Sequence, residues 1–277
     1  MSRFVKIASS FRAVFFDQYG VLHDGRRPYP GARDALAALK ARAVKIAVLS
    51  NSGRAGQANV QRMAALGLGP ELYDFLLTSG DVARRLLRND GPLAARLHPK
   101  ARAFVVSSDG RDELSLELGL TPARGSAEAD LVIVAGSQAD RISLDAYREL
   151  LAPAAERGAP CLCFNPDRLM LTAAGAAPGA GRIAEIYQEL GGEVTWIGKP
   201  FPEIYRAAAE LAGVEDPRDI LCVGDSVEHD IAGANGFGAF AALTRTGVLA
   251  GLSREELAAE IGRRRAVPDY VVESLAS

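Results

Sequence analysis

Apolar and polar positions along the chain fall into two recurring patterns. Short apolar runs that stop at small or polar residues read as buried strands: 14–17 (VFFD), 44–53 (VKIAVLSNSG), 75–80 (FLLTSG), 103–110 (AFVVSSDG), 130–136 (DLVIVAG), 160–167 (PCLCFNPD), 194–200 (VTWIGKP), the start of 219–238 (DILCVGDSVEHDIAGANGFG), 239–243 (AFAAL) and the closing PDYVV. Between them apolar residues return at helical spacing. Ala35, Leu36, Leu39 and Ala43 follow Pro30-Gly31, and a second helix runs to Leu66 and is stopped by Gly67 and Gly69. Further helices are predicted over 143–158 with Ser143 as cap, over 179–192 behind a glycine, and over 202–213. In 253–265, Ser253 and Glu256 have capping-box spacing. Strand and helix in alternation predict a parallel sheet with right-handed crossovers. The middle of the chain repeats this grammar, so a second α/β unit sits inside the first.

Length and composition narrow the class without naming a chemistry. The 277 residues suit one large domain or two moderate ones, and 48% hydrophobic with 24% charged residues is ordinary for a globular protein. A formal charge of −2 gives no basic field for nucleic acid. Arg263-Arg264-Arg265 reads as solvated surface or as a match to a helix dipole. Three cysteines make no disulfide framework: Cys161 and Cys163 share one face of a strand, Cys222 lies in another apolar run, and all read as reduced buried thiols. No zinc-type Cys/His spacing accompanies them. His98 reads as surface and His229 as a helix-start residue. The short apolar run after Arg3, Lys6 and Arg12 is unlike a signal peptide, and no uncharged run approaches the ~18 residues of a membrane span. A cytoplasmic location with neither membrane nor nucleic-acid partners is expected.

Candidate chemistry gathers at four strand ends: Asp17, Ser50-Asn51-Ser52, Lys199, and Asp225 with Asp230 just beyond it. In a parallel sheet such ends lie along one edge, where ligands bind. Carboxylates would suit Mg²⁺, which takes oxygen ligands and shares them with phosphate, while a lysine and hydroxyl or amide donors would stabilise a transferring phosphoryl group. Each residue also has a plain reading. Asp17, Ser50 and Asn51 could be turn residues, Lys199 surface, Asp225 a helix cap and Asp230 a first-turn acid. The combination in this order favours chemistry over these. GGEVTWIGKP fails as a phosphate-binding loop because its glycine spacing is wrong and Pro200 follows Lys199. Gly175, Gly179 and Gly181 do not form a dinucleotide fingerprint.

With these residues in view the chain resembles the haloacid dehalogenase superfamily, in its class-IIA branch of phosphatases acting on nucleotides and small phosphorylated metabolites. The motifs are DQYGVL (17–22), SNS (50–52), GKP (198–200) and GDSVEHDI (224–231), with FNPDRLMLTAAGAAPGAG (164–181) as the cap signature. The resemblance implies a Rossmann-like three-layer α/β core with a parallel sheet, residues 1–80 and 196–277, and a smaller inserted α/β cap, residues 81–195. It implies that Asp17 is the nucleophile forming an aspartyl-phosphate. Asp17, the Tyr19 carbonyl and Asp225 would hold Mg²⁺, with Asp230 nearby. Ser50, Asn51, Ser52 and Lys199 would bind phosphate, Lys199 also offsetting the crowded carboxylates. From the cap, Asn165, Pro166 and Asp167 would meet a small phosphorylated metabolite such as a sugar phosphate or nucleotide. Cap-mediated dimers in such relatives leave a homodimer open.

One position departs from the family pattern. Phosphatases of this superfamily read D-x-D, the second Asp acting as general acid/base, and this chain has Tyr19. A phenol, with an ordinary pKa of ~10, can donate a proton but is a poor base at neutral pH. Three readings follow. The first is a phosphatase restricted to good leaving groups or using a substitute such as His23 or Asp24. The second is a dehalogenase, which D-x-Y-G resembles; the absence of room for a cap between the first two motifs opposes it. The third is a catalytically weak phosphometabolite-binding protein with a sensing or scaffold role.

Overall fold

The computed structural model describes residues 2–88, 100–172 and 175–277; His98 and residues 173–174 of the cap signature lie outside them. The chain forms two compact units, Met1–Ser50 with Gly56–Leu77 and Lys199–Ser277, and Asn51–Ala55 with Thr78–Gly198.

Six strands build the sheet of the first unit: β1 (Ala13–Asp17), β2 (Lys45–Ser50), β3 (Phe75–Thr78), β11 (Ile220–Gly224), β12 (Phe240–Thr244) and β13 (Tyr270–Val272). Their order is β13-β12-β11-β1-β2-β3, and β13, β12, β11, β1 and β2 run parallel. Val14, Phe16, Ile46, Val48, Leu221 and Val223 share one core with helices Arg3–Ala8 and Ala32–Lys40. The alternate residues Phe15, Ala47, Leu49 and Cys222 are buried as well, as in a parallel sheet covered on both faces, and helix Pro202–Ala212 packs against β2. The result is the expected three-layer arrangement.

The second unit holds β4 (Arg102–Val106), β5 (Thr121–Pro122), β6 (Leu131–Val134), β7 (Cys161–Cys163), β8 (Leu169–Thr172), β9 (Gly175–Pro178) and β10 (Val194–Trp196). Five of them form a parallel sheet in the order β10-β7-β6-β4-β5. Helices Leu144–Glu156 and Ala180–Glu189 cover it through Tyr147, Leu151, Ile183 and Tyr187 against Val132, Val134 and Cys161. Ser143 caps the first of these by accepting from the Ala146 N–H, and Ser253 and Glu256 form the expected capping box. Cys161, Cys163 and Cys222 are buried and free. No described helix is long and apolar enough to cross a membrane.

Several local expectations shift. The helix after Gly31 ends at Lys40, and Ala43 turns the chain with φ 58°. Ser79 and Gly80 open helix Ser79–Arg88 instead of closing a strand. β8 and β9 pair antiparallel inside the cap signature. At the N-terminus a short helix is capped by Ser2 and drives Phe4 edge-on against Phe16, with ring centroids 5.9 Å apart.

Three strands begin with the same device. Asp74, Asp130 and Asp269 each immediately precede a strand. Each donates its N–H to a carbonyl of the neighbouring strand, at Ile46, Arg102 and Ala241 respectively. Each carboxylate then accepts the N–H of that same residue at 2.8–2.9 Å. The closed pair satisfies a backbone donor that the strand end would leave orphaned, with a charge-assisted bond. Asp74 also receives Lys40 Nζ at 2.9 Å. Burial pushes its carboxyl up, but the Ile46 N–H and the Lys40 ammonium outweigh this and hold it below the ordinary value. A depressed native pKa adds stability above the unfolded pKa of ~3.9 that disappears as pH falls through the native value. Asp74→Ala should cost about 1–2 kcal/mol at neutral pH. In urea melts, the gap between wild type and Asp74→Asn should be widest near neutrality and close below about pH 4.

Candidate active site

β1 lies between β11 and β2, so the chain leaves β1 to one side and returns to it on the other. Parallel sheets hold their ligand crevice at such a switch point, beyond the carboxyl ends of the strands. Asp17 is the last residue of β1, and Asp225 follows the last residue of β11. Phe16 stands in register with Val223, which brings the two carboxylates to the same edge.

Glycines make the approach feasible. Gly20 turns the chain with φ 98°, and a Cβ there would collide with the Asp225 carboxylate; Gly224 is pressed equally against the Asp230 side chain. Lys199, 4% exposed, donates from Nζ to Asp17 Oδ1 and to Asp230 Oδ1, the latter at 2.6 Å. Asp230 Oδ2 accepts the Ser226 N–H at 3.1 Å, and Asp225 Oδ2 accepts the Val248 N–H at 2.7 Å. Between them Val227–Ile231 forms one turn of π-helix, a form that recurs at functional sites, and its cap is Ser226, not Asp225.

Asp17, Asp225 and Asp230 offer oxygen atoms that all lie within 4.8 Å of one another. Burial pushes the Asp17 carboxyl well above the ordinary range; Lys199 opposes this, and Asp230 and Asp225 add to it. Asp225 is raised by burial and then by Asp230. Burial alone would lower the Lys199 pKa, yet Asp17 and Asp230 hold it above the ordinary lysine value. Three carboxyl groups thus stand around one ammonium. An all-oxygen donor set of this kind fits a hard divalent cation.

The remaining expected residues separate by unit. Ser50 ends β2 in the first unit. Asn51, Ser52, Asn165, Pro166 and Asp167 belong to the second. There Asn51 Nδ2 donates to Asp167 Oδ1 at 2.8 Å, and Asn165 Oδ1 accepts the Asp167 N–H at 2.9 Å in an Asx-turn. The glycines of PGAG fit this turn. Gly181 N–H donates to the Asp167 carbonyl at 2.9 Å, and a Cβ on Gly181 would strike the Pro166 carbonyl. Gly198, with φ 114°, passes so near that a Cβ would lie 2.8 Å from Asn51 Oδ1 and 2.9 Å from Pro166 Cδ.

Tyr19 is half exposed, its ring edge-on to His23 with centroids 5.8 Å apart. The proposed substitutes for the missing acid are both engaged in the turn. His23 is buried; its Nδ1 accepts the Gly25 N–H at 3.0 Å, and its Nε2 faces the Gln18 amide at 3.2 Å. Burial, followed by Arg62, lowers the His23 pKa and disfavours the charged ring. Asp24 accepts the N–H groups of Arg26 and Arg27 at 2.8 Å each. Two participants escaped notice in the sequence, Thr246 and Val248. Their contacts are made through a hydroxyl and a backbone N–H in a turn without a motif, where the only local sign is Gly247.

The chain matches the family described as haloacid dehalogenase-like hydrolase over residues 14–121 and a HAD-hydrolase-like family over residues 196–277. It is 35% identical to chronophin of Homo sapiens, across 96% of this chain and 91% of that protein. It is similar in structure to a p-nitrophenyl phosphatase from Archaeoglobus fulgidus, with TM-score 0.77 and 29% identity over 96% of this chain and 97% of the other. It is also similar to a glycerol phosphate phosphatase from Mycobacterium tuberculosis in complex with magnesium, with TM-score 0.75 and 26% identity over 97% of this chain and 77% of the other.

Removing the one ammonium isolates the carboxylates. Lys199→Met should destabilise the protein by about 3–5 kcal/mol in urea melts without added metal. An unchanged midpoint would show that the carboxylates do not depend on it.

Proposed function

Since the chain belongs to the haloacid dehalogenase-like hydrolases, we propose that it is a magnesium-dependent phosphatase of a small phosphorylated metabolite. The observation that carries this reading is the buried cluster of Asp17, Asp225 and Asp230 around Lys199. The phosphatase names of the similar structures, one of them in complex with magnesium, support it.

In this reading an Asp17 carboxylate oxygen attacks phosphorus and the bond to the leaving oxygen breaks, giving an aspartyl-phosphate. Water then attacks that phosphorus, releasing inorganic phosphate and restoring the carboxylate. Lys199 orients Asp17 and, with Ser50, Asn51 and Ser52, binds phosphoryl oxygens as charge develops on them. Asp17, Asp225 and the Tyr19 carbonyl would hold Mg²⁺, with Asp230 nearby, and the ion would supply further positive charge to the phosphoryl group. Residues 81–195 would be the inserted cap, with Asn165, Pro166 and Asp167 selecting the substrate.

Proton transfer is where this chain differs. Tyr19 stands in place of the acid, and His23 and Asp24 are committed to the turn. A phenol is a weaker proton donor than a carboxylic acid and a poor base at neutral pH, so this reading favours phenol-like or acyl leaving groups, which need little protonation, over alkoxides. Tyr19 is also what favours a second reading, a phosphometabolite-binding protein with little turnover.

A panel of aryl, acyl and alkyl phosphates with and without Mg²⁺ separates these. Phosphate release from the aryl and acyl members is expected, stopped by a chelator and by Asp17→Asn. Phosphoester binding without turnover, even of activated esters, would replace this reading with the second, and metal-independent halide release would point to carbon chemistry instead. Tyr19→Asp should speed alkyl phosphate hydrolysis by about 10²-fold or more. A folded Tyr19→Asp variant no faster than wild type would show that the absent acid does not limit the reaction.

A further inference from the structure

The strand ends bearing Asp17 and Asp225 are tied together by a segment that carries no motif. β12 ends at Thr244, and the chain turns through Arg245, Thr246, Gly247 and Val248. Thr246 Oγ1 donates to the carbonyl of Gly20, the residue after Tyr19, at 2.6 Å. A carbonyl only accepts, so the single hydroxyl proton of Thr246 is committed there. The Thr246 and Thr244 hydroxyls lie 3.0 Å apart. Thr244 is fully buried, and its Oγ1 also lies 3.3 Å from the carbonyl of Gly224, the residue before Asp225, so its single proton serves either Thr246 or Gly224. The two hydroxyls are thus packed between the backbone beside Asp225 and the backbone beside Tyr19.

The next two residues close the same contact from the side. Gly247 has φ 56°, and a Cβ there would overlap Asp225 Oδ2 and lie 2.6 Å from Gly20 Cα. The Val248 N–H holds Asp225 Oδ2 at 2.7 Å. One short segment thus fixes the turn after the nucleophile and a carboxylate from another strand.

We propose that Thr246 is a positioning residue for the divalent cation: with Thr244 it sets the separation between the Tyr19-Gly20 backbone and Asp225. This rests on the reading of Asp17, Tyr19 and Asp225 as the metal ligands. Magnesium demands near-ideal octahedral geometry, so a small displacement of one ligand costs affinity, and outer partners of metal ligands are typically worth 10–100-fold in binding. If the hydroxyls served only to satisfy buried carbonyls, their loss would lower stability and leave cation binding alone.

Thr246→Ser and Thr246→Ala differ from one another only in the hydroxyl and form the test. Magnesium chloride alone is titrated into the full chain, followed by calorimetry and by the shift of the thermal midpoint. Thr246→Ala should weaken magnesium binding by about 10–100-fold, with Thr246→Ser close to wild type. If the alanine variant does not fold, Thr244→Val replaces it, since it breaks the second link while keeping the shape. A variant lacking the hydroxyl that binds magnesium as wild type does, with only a lowered midpoint, overturns the proposal and leaves the phosphatase reading standing. Wild type that binds no magnesium overturns the metal-site reading and the proposal with it.

Discussion

Three carboxylates held around one ammonium, largely shut off from water, set the terms for the rest of the first unit. Burying charge is costly, and the cost is tolerable only where each group finds partners at close range. Lys199 reaches two of the carboxylates, and backbone N–H groups of Ser226 and Val248 take the free oxygens of Asp230 and Asp225. No local stretch of chain could supply this set. The three acids and the lysine come from the end of β1, the end of β11, the turn beyond it, and the segment before helix Pro202–Ala212. Only a sheet whose strands point the same way brings such ends together, so the parallel order is a condition of the site. The glycines at 20, 224 and 247 are a second condition, because each stands where a side chain would displace a carboxylate.

Three acids buried around one ammonium weaken the fold that contains them, and the surrounding structure must offset that. β1 is flanked on both sides by strands, and its apolar residues Val14, Phe15 and Phe16 are at most 1% exposed. Strand starts are pinned by the Asp74 and Asp269 pairings at the opposite, chemically plain side of β3 and β13. Stability and chemistry are thus separated along the length of the strands, with rigid starts and charged ends. This division fits a site prepared for a cation, which would relieve the repulsion among the carboxylates and, once bound, offer positive charge to a phosphate.

Much of this was legible in the sequence, for a physical reason. Buried parallel strands leave continuous apolar runs, and the polar residue ending each run marks the sheet edge, so Asp17, Lys199 and Asp225 could be grouped without coordinates. Cap signals are equally local, as Ser143, Ser253 and Glu256 illustrate. What escaped depends on partners far away in the chain. Asp74, Asp130 and Asp269 look like ordinary turn acids until the neighbouring strand is known. Thr246 pairs with Gly20 across 226 positions, and nothing near either residue announces it. Asp225 suited a helix cap by position, yet Ser226 beside it takes that role because the Asp225 carboxylate is drawn to the Val248 N–H. The N-terminal helix was hidden by its brevity, since its stability comes from Phe4 against Phe16 and not from its own residues.

Tyr19 shows that the parts of such a site can change independently. Holding a phosphoryl group in line with a carboxylate requires fixed charges, and those depend on Lys199 and the three acids. Delivering a proton to the departing oxygen is a separate task, carried by one side chain that none of those charges needs for its position. The Tyr19 ring lies half in solvent against His23, outside the hydrogen-bonded cluster. Exchanging an acid for a phenol there leaves the cluster's geometry intact. In the proposed reading Asp17 and its partners would set the class of reaction and the residue two places later its scope, so substrate range in this chain is a question about Tyr19 as much as about any residue of the second unit.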